Sequence, residues 1–262
     1  MVESTFEWLI NTHVLLFGLF CFLLLFLVAE IGFQIGNWSR RRRRHPEQEL
    51  TGVGTITTGM LGLLAFTLGI TIGIAQNRYE ARRDLVVQEA NAIGTAWLRA
   101  HLAGEEGPAL VGLIEDYAKV RLAYTAADTM TSESYLIART NTLQTEIWAK
   151  AQTVAARAPT AVTATLINAL NDMFDQSLAQ RFAFESQVPP NLAWMMVIGS
   201  VLAIGAMGFQ LGLNGARQTL LMALLLMMWA GAMMLIVDMN RPRIGGIRVD
   251  PTPLQWTVEG FG

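Results

Sequence analysis

The chain has 262 residues, 52% of them apolar and only 15% charged, with a formal net charge of −2. Soluble domains carry about 25% charged residues, so the composition excludes a soluble enzyme and a disordered tail, and the lack of a basic excess excludes a nucleic-acid binder. One cysteine, Cys21, excludes an intramolecular disulfide framework and any cysteine-built zinc site.

A bilayer core of about 30 Å takes roughly 20 apolar residues of helix. Residues 12–35 supply the first such run, with Glu30 its only charge. The chain starts acidic, with Glu3 and Glu7, and the run is longer than the apolar stretch of a signal peptide, so it reads as a retained span. Loop 36–52 follows, carrying the consecutive arginines Arg40, Arg41, Arg42, Arg43 and Arg44. Residues 53–75 form a second run without charge. Residues 1–75 are therefore predicted to hold two transmembrane helices and an arginine-rich loop.

Residues 76–190 carry ten basic and 13 acidic side chains, too many to cross a membrane. Apolar residues recur there at helical spacing, as in Leu110, Leu113, Ile114, Tyr117 and Val120. Breakers at Gly104 to Pro108, near Asp128 to Ser132, at Pro159 and at Pro189–Pro190 divide the segment. The spacing predicts helices over 76–103, 108–128, 132–157 and 160–187, an extramembrane bundle within 76–192. Nothing breaks the chain between the second span and the first of these helices. Residues 52–103 are expected as one helix of about 75 Å, extending roughly 40 Å past the hydrocarbon.

Residues 193–213 and 219–237 are the third and fourth spans, so 193–238 closes the membrane part and 239–262 is left as a C-terminal tail. The fold class is thus an all-α membrane protein: four transmembrane helices, with a helical bundle inserted between spans 2 and 3. Loop 36–52 and the short loop with Arg217 fall on one side. The positive-inside rule makes that side cytoplasmic and places the bundle outside. The arginine run is a topology anchor on this reading and a binder of anionic headgroups on another.

At 100° per residue, Thr55, Thr58, Gly62, Ala65, Gly69 and Gly73 fall within one sector about 80° wide. The sector continues through Gln76, Glu80, Arg83, Asn91 and Gly94. Two readings compete. Small residues let helices pack closely in lipid, and Gly69–Gly73, Gly32–Gly36 and Gly208–Gly212 each make a G-x-x-x-G. Alternatively, hydroxyls and small residues with charges at the mouth suit a pore wall. Thr67 and Thr71 lie on the other side. Glu30 and Asp238 are the acids in or at the edge of spans, where an ion pair and a transport role both fit.

Catalytic motifs are missing. His13, His45 and His101 lack metal-ligand spacing, and the sequence holds no H-E-x-x-H, Walker loop or nucleophile elbow. No enzymatic activity, metal or cofactor is expected.

Two stretches carry a family likeness. One is Asn77-Arg78-Tyr79-Glu80-Ala81-Arg82-Arg83, continuing through Glu89-Ala90-Asn91-Ala92-Ile93; the other is Asp238, Arg241-Pro242, Gly245, Ile247, Val249, Pro251 and Pro253-Leu254. With four spans and a central helical segment, they resemble the bacterial membrane proteins called bestrophin-like, themselves distantly similar to bestrophin ion channels. That resemblance implies a homo-oligomer, a pentamer as in most bestrophins, conducting inorganic ions along a pore lined by the second span. Thr55, Thr58, Gly62, Gly69 and Gly73 would line it, and Glu80, Arg82 and Arg83 of the Tyr79-Glu80-Ala81-Arg82-Arg83 motif would stand at its mouth. It also implies a cytosolic bundle, the reverse of the charge reading. The sequence thus points to an ion channel in the bacterial inner membrane, with lipid, ions and further copies of the chain as partners. A non-conducting scaffold or sensor whose bundle binds a partner is the alternative; a transporter coupled through Glu30 is a third.

Overall fold

A computed structural model describes residues 14–42, 47–127, 130–243 and 246–261. Arg43, Arg44, the start of the first run and the expected break at Asp128 lie outside them. Among the described residues the chain is all helix: α1 (Val14–Arg42), α2 (Glu47–Ala100), a 3-10 turn (Gly104–Glu106), α3 (Gly107–Ala126), α4 (Met130–Arg157), α5 (Ala161–Glu185), α6 (Pro190–Asn214), α7 (Thr219–Met239) and α8 (Thr252–Glu259). Among the described residues, four helices are long and apolar enough to cross a membrane. The helices start where the sequence signals them: Thr160 caps α5 by accepting from the Thr163 amide, and Pro190 opens α6. α2 runs unbroken through the second apolar run, as expected, but from Glu47 to Ala100 and not 52–103; with α1 helical to Arg42, the stretch expected as loop 36–52 is helix at both of its ends, and Arg40 to Arg42 form the last turn of α1.

The chain divides into two compact units, one of residues 1–77 and 188–240, the other of 78–187 and 241–262. In the membrane unit, α1 and α6 run parallel and meet on glycine. A Cβ on Gly32 would strike the Gly205 carbonyl oxygen, one on Gly36 that of Phe209, one on Gly208 that of Ala29, and one on Gly212 that of Phe33. This backbone-to-backbone seam supplies the attraction that lipid withholds from apolar side chains. Leu25, Ala29, Ile204 and Leu226 close the core beside it. Leu15, Leu19, Leu23 and Leu27 of α1, and Leu220, Leu221, Met227 and Met228 of α7, point outward, as spans surrounded by lipid require.

The second unit is a helical bundle built around Val86, Ile93, Leu110, Ile114, Tyr117, Leu143, Ile147, Leu166, Leu170 and Met173. The C-terminal residues belong to it. Val249 and Leu254 are buried in this core, and Thr257 of α8 donates to the Ala90 carbonyl at 3.4 Å.

Candidate functional site

The face of α2 singled out by its small residues turns away from the rest of its unit. Thr57, Leu64, Thr71 and Ala75, seven or four residues apart, are buried; Leu64 approaches Gly199 of α6, and Ala75 packs with Met196, Met233 and Ile236. The opposite face holds Thr55, Thr58, Gly62, Ala65 and Gly69, all exposed, and half-buried Gly73. A Cβ added to Gly62, Gly69 or Gly73 would meet nothing within 4 Å. Close packing inside the chain therefore explains the glycines of α1 and α6 but not those of this face. On this face the Thr55 hydroxyl bonds back to the Thr51 carbonyl at 3.0 Å, as on the buried face that of Thr71 does to Thr67 at 2.8 Å. Such bonds let a hydroxyl sit on a helix face in a low-dielectric setting.

The five-residue motif after the second run separates. Tyr79 packs against the bundle core. Glu80 and Arg83 are exposed, one turn apart. Arg82 is not with them, which corrects its placement at a pore mouth: it is 1% exposed. Its Nε donates to the Ala183 carbonyl at 2.9 Å and its Nη2 to that of Ser186 at 2.6 Å. These oxygens end α5, where carbonyls lack helical partners and the dipole is negative. Burial, then the nearby Arg78, pushes the Arg82 guanidinium down to about 10, so it keeps its charge at neutral pH. Arg82→Leu is expected to destabilise the bundle by about 2–3 kcal/mol, the range for losing hydrogen bonds from a charged donor to buried acceptors. Thermal unfolding checks this; an unchanged midpoint would contradict the assignment.

Further polar and charged residues of the bundle are buried in networks of their own. Arg121 donates through Nε to Glu89 Oε1 at 2.5 Å and through Nη2 to Oε2 at 3.3 Å, and it also donates to Gln180 Oε1. Gln180 in turn donates to Thr125 at 3.1 Å. Burial pushes the Glu89 carboxyl up, against the pull of Arg121. Arg243, beyond the fourth span, lies 4.4 Å from the Tyr124 ring centre and 4.8 Å from that of Phe184, with an ion pair to Glu133 at 2.8 Å. Glu30, considered for transport, is ion-paired to Arg217 and accepts from Gln34. Asp238 is buried at the end of α7.

A family model described as Bestrophin-like domain matches residues 23–254. No curated protein matches the chain. Among solved structures, a substituted form of a bacterial bestrophin homologue from Klebsiella pneumoniae is similar with a TM-score of 0.66 at 15% identity, covering 95% of each chain. A second structure of a Klebsiella pneumoniae bestrophin homologue gives 0.64 at 14% identity over 93% of this chain and 95% of the other. A crystal structure described as a membrane protein gives 0.68 at 14% identity, over 93% and 96%. At such identities the likeness is one of fold.

Proposed function

The chain belongs to the bestrophin-like family, and from that premise we propose that it is an oligomeric ion channel whose path is lined by α2. One observation carries the reading: a full-length face of small and hydroxyl residues on a membrane helix, whose glycines Gly62, Gly69 and Gly73 approach no other described residue of the chain. Copies of the chain around an axis, with this face inward, would give a narrow polar path. Thr55, Thr58, Gly62, Gly69 and Gly73 line it on this proposal, and Glu80 and Arg83 stand at its mouth; Arg82 holds the wall behind them. Five copies make the ring if the bestrophin likeness extends to assembly. The opposite charges at the mouth favour neither sign of ion. Planar-bilayer recording of purified protein, with its mass measured in the native state, tests the proposal. Current in at least one salt from an oligomer is expected; silence across many salts from a monomer would overturn it.

A non-conducting scaffold or sensor remains the second reading, because the same face also suits close packing between copies. In that case Gly69→Leu breaks assembly without a conductance to lose.

We further propose the bacterial inner membrane as the location, with Arg40–Arg44 and Arg217 in the cytoplasm and the bundle outside. Each arginine near an anionic inner surface contributes roughly 1 kcal/mol, and short loops carry the signal. With Cys21→Ser as background, Glu105→Cys should react with a membrane-impermeant maleimide in intact cells, because Glu105 is 96% exposed. Pro46→Cys should not react. The reverse pattern would put the bundle in the cytosol, as the bestrophin likeness implies.

A further inference from the structure

At one end of the membrane unit, two separate elements bring arginines together. The last turn of α1 carries Arg40, Arg41 and Arg42, all exposed. Arg40 lies on the turn between α6 and α7: a Cβ on Gly215 would strike its guanidinium. Gly215 holds φ 70 there, a left-handed conformation that glycine adopts without strain. The Arg40 Nη2 also donates to Asn37 Oδ1 at 3.1 Å, which fixes the guanidinium. Two residues past Gly215 stands Arg217, exposed, ion-paired to Glu30 and 5.1 Å from the Phe33 ring centre. Arg42 stacks 4.1 Å over Trp38, whose side chain is 55% exposed.

Four arginines against Glu30 leave these side chains a charge of +3. Arg43 and Arg44, and Glu47 and Glu49, cancel one another in the sequence. An exposed indole at the end of a membrane helix marks headgroup depth. One of these arginines, Arg217, lines a shallow crevice with Glu30, Gln218 and Thr219 and the apolar Phe26, Phe33, Leu211 and Met222. A guanidinium fork matches two phosphate oxygens. Exposed arginines beside a largely apolar crevice therefore suit a phosphate that carries acyl chains better than a free ion.

We propose that this end of the membrane unit binds the headgroup phosphate of an anionic phospholipid. Arg40 and Arg217 hold the phosphate, Arg41 and Arg42 supply the surrounding field, and an acyl chain lies along Phe26 and Met222. This binding is independent of conduction, so it stands or falls apart from the channel reading. The test is native mass spectrometry of the full chain in detergent, titrated with phosphatidylglycerol, phosphatidylcholine and glycerol phosphate. Wild-type protein should retain phosphatidylglycerol in preference to phosphatidylcholine, and glycerol phosphate should bind far more weakly. Arg40→Gln and Arg217→Gln should each weaken the preference about fivefold, the equivalent of roughly 1 kcal/mol per arginine. Equal retention of the two lipids, equal binding of glycerol phosphate, or a preference unchanged in both variants would overturn the proposal. If the variants do not fold, a diazirine-bearing phosphatidylglycerol on wild-type protein decides: label on α1 or the α6–α7 turn supports the site, and label elsewhere refutes it.

Discussion

Arg121→Leu is expected to destabilise the bundle by about 3–5 kcal/mol, the cost of leaving one member of a buried ion pair without its partner. The Arg121 side chain is 2% exposed and that of Glu89 is fully buried, so water cannot replace either charge. Gln180 and Thr125 would lose their place in the same network. The double variant Glu89→Leu with Arg121→Leu removes both charges and should recover most of the loss, since apolar replacement of a whole buried pair is often neutral. Thermal unfolding of the full chain in detergent, read with trypsin protection of residues 78–187, separates the variants. If the double variant is as unstable as Arg121→Leu alone, lost packing and not the stranded carboxylate is the cause.

The second large effect falls on the glycine seam of the membrane unit. Gly208→Ala places a methyl against the Ala29 carbonyl, and Gly32→Ala places one against Gly205. Both obstacles are backbone, which cannot rotate aside as a side chain would. Each should cost at least the 1–3 kcal/mol typical of overpacking, and the pair together should prevent α1 from docking on α6. On the exposed face of α2 the expectation reverses. Gly69→Ala meets nothing and gains helix propensity of about 1 kcal/mol. Melting midpoints measured in detergent should therefore fall for Gly32→Ala and Gly208→Ala and hold or rise for Gly69→Ala. Equal losses at all three positions would mean that the α2 face packs as tightly as the seam does.

Much of the fold was legible because membrane spans announce themselves by length and hydropathy, and because prolines and glycines punctuate the rest. The unbroken α2 followed from an absence of breakers over residues 52–103. The face of small residues followed from the 100° periodicity alone. The same wheel carries a second signal. Arg82, Val86, Glu89, Ile93, Ala96 and Ala100 repeat at spacings of four and three, and all are buried. Two charged residues in an otherwise apolar heptad stripe point to a buried ionic network, whereas the contiguous motif sets Arg82 beside Arg83, which lies 100° away on the helix. The partners themselves could not be read. Arg121 and Gln180 lie 32 and 91 residues beyond Glu89, and Ala183 lies 101 beyond Arg82. α8 escaped notice because it has eight residues, two of its neighbourhood being Pro251 and Pro253, and proline in a first turn is compatible with helix. Arg243 carried no motif; only the Tyr124 and Phe184 rings around it give it a role.

The central claim is that the outward face of α2 lines a shared aqueous path, and thiol accessibility during recording tests it most directly. In a Cys21→Ser background, Gly69→Cys and Thr71→Cys put a thiol on opposite sides of the same helix turn, Thr71 being 1% exposed against the unit's own core. A small charged methanethiosulfonate reagent added to purified channels in a planar bilayer should block or sharply reduce the current through Gly69→Cys and leave that of Thr71→Cys unchanged. Current that ignores modification at Gly69, or the absence of current from any oligomer in any salt, would contradict the account.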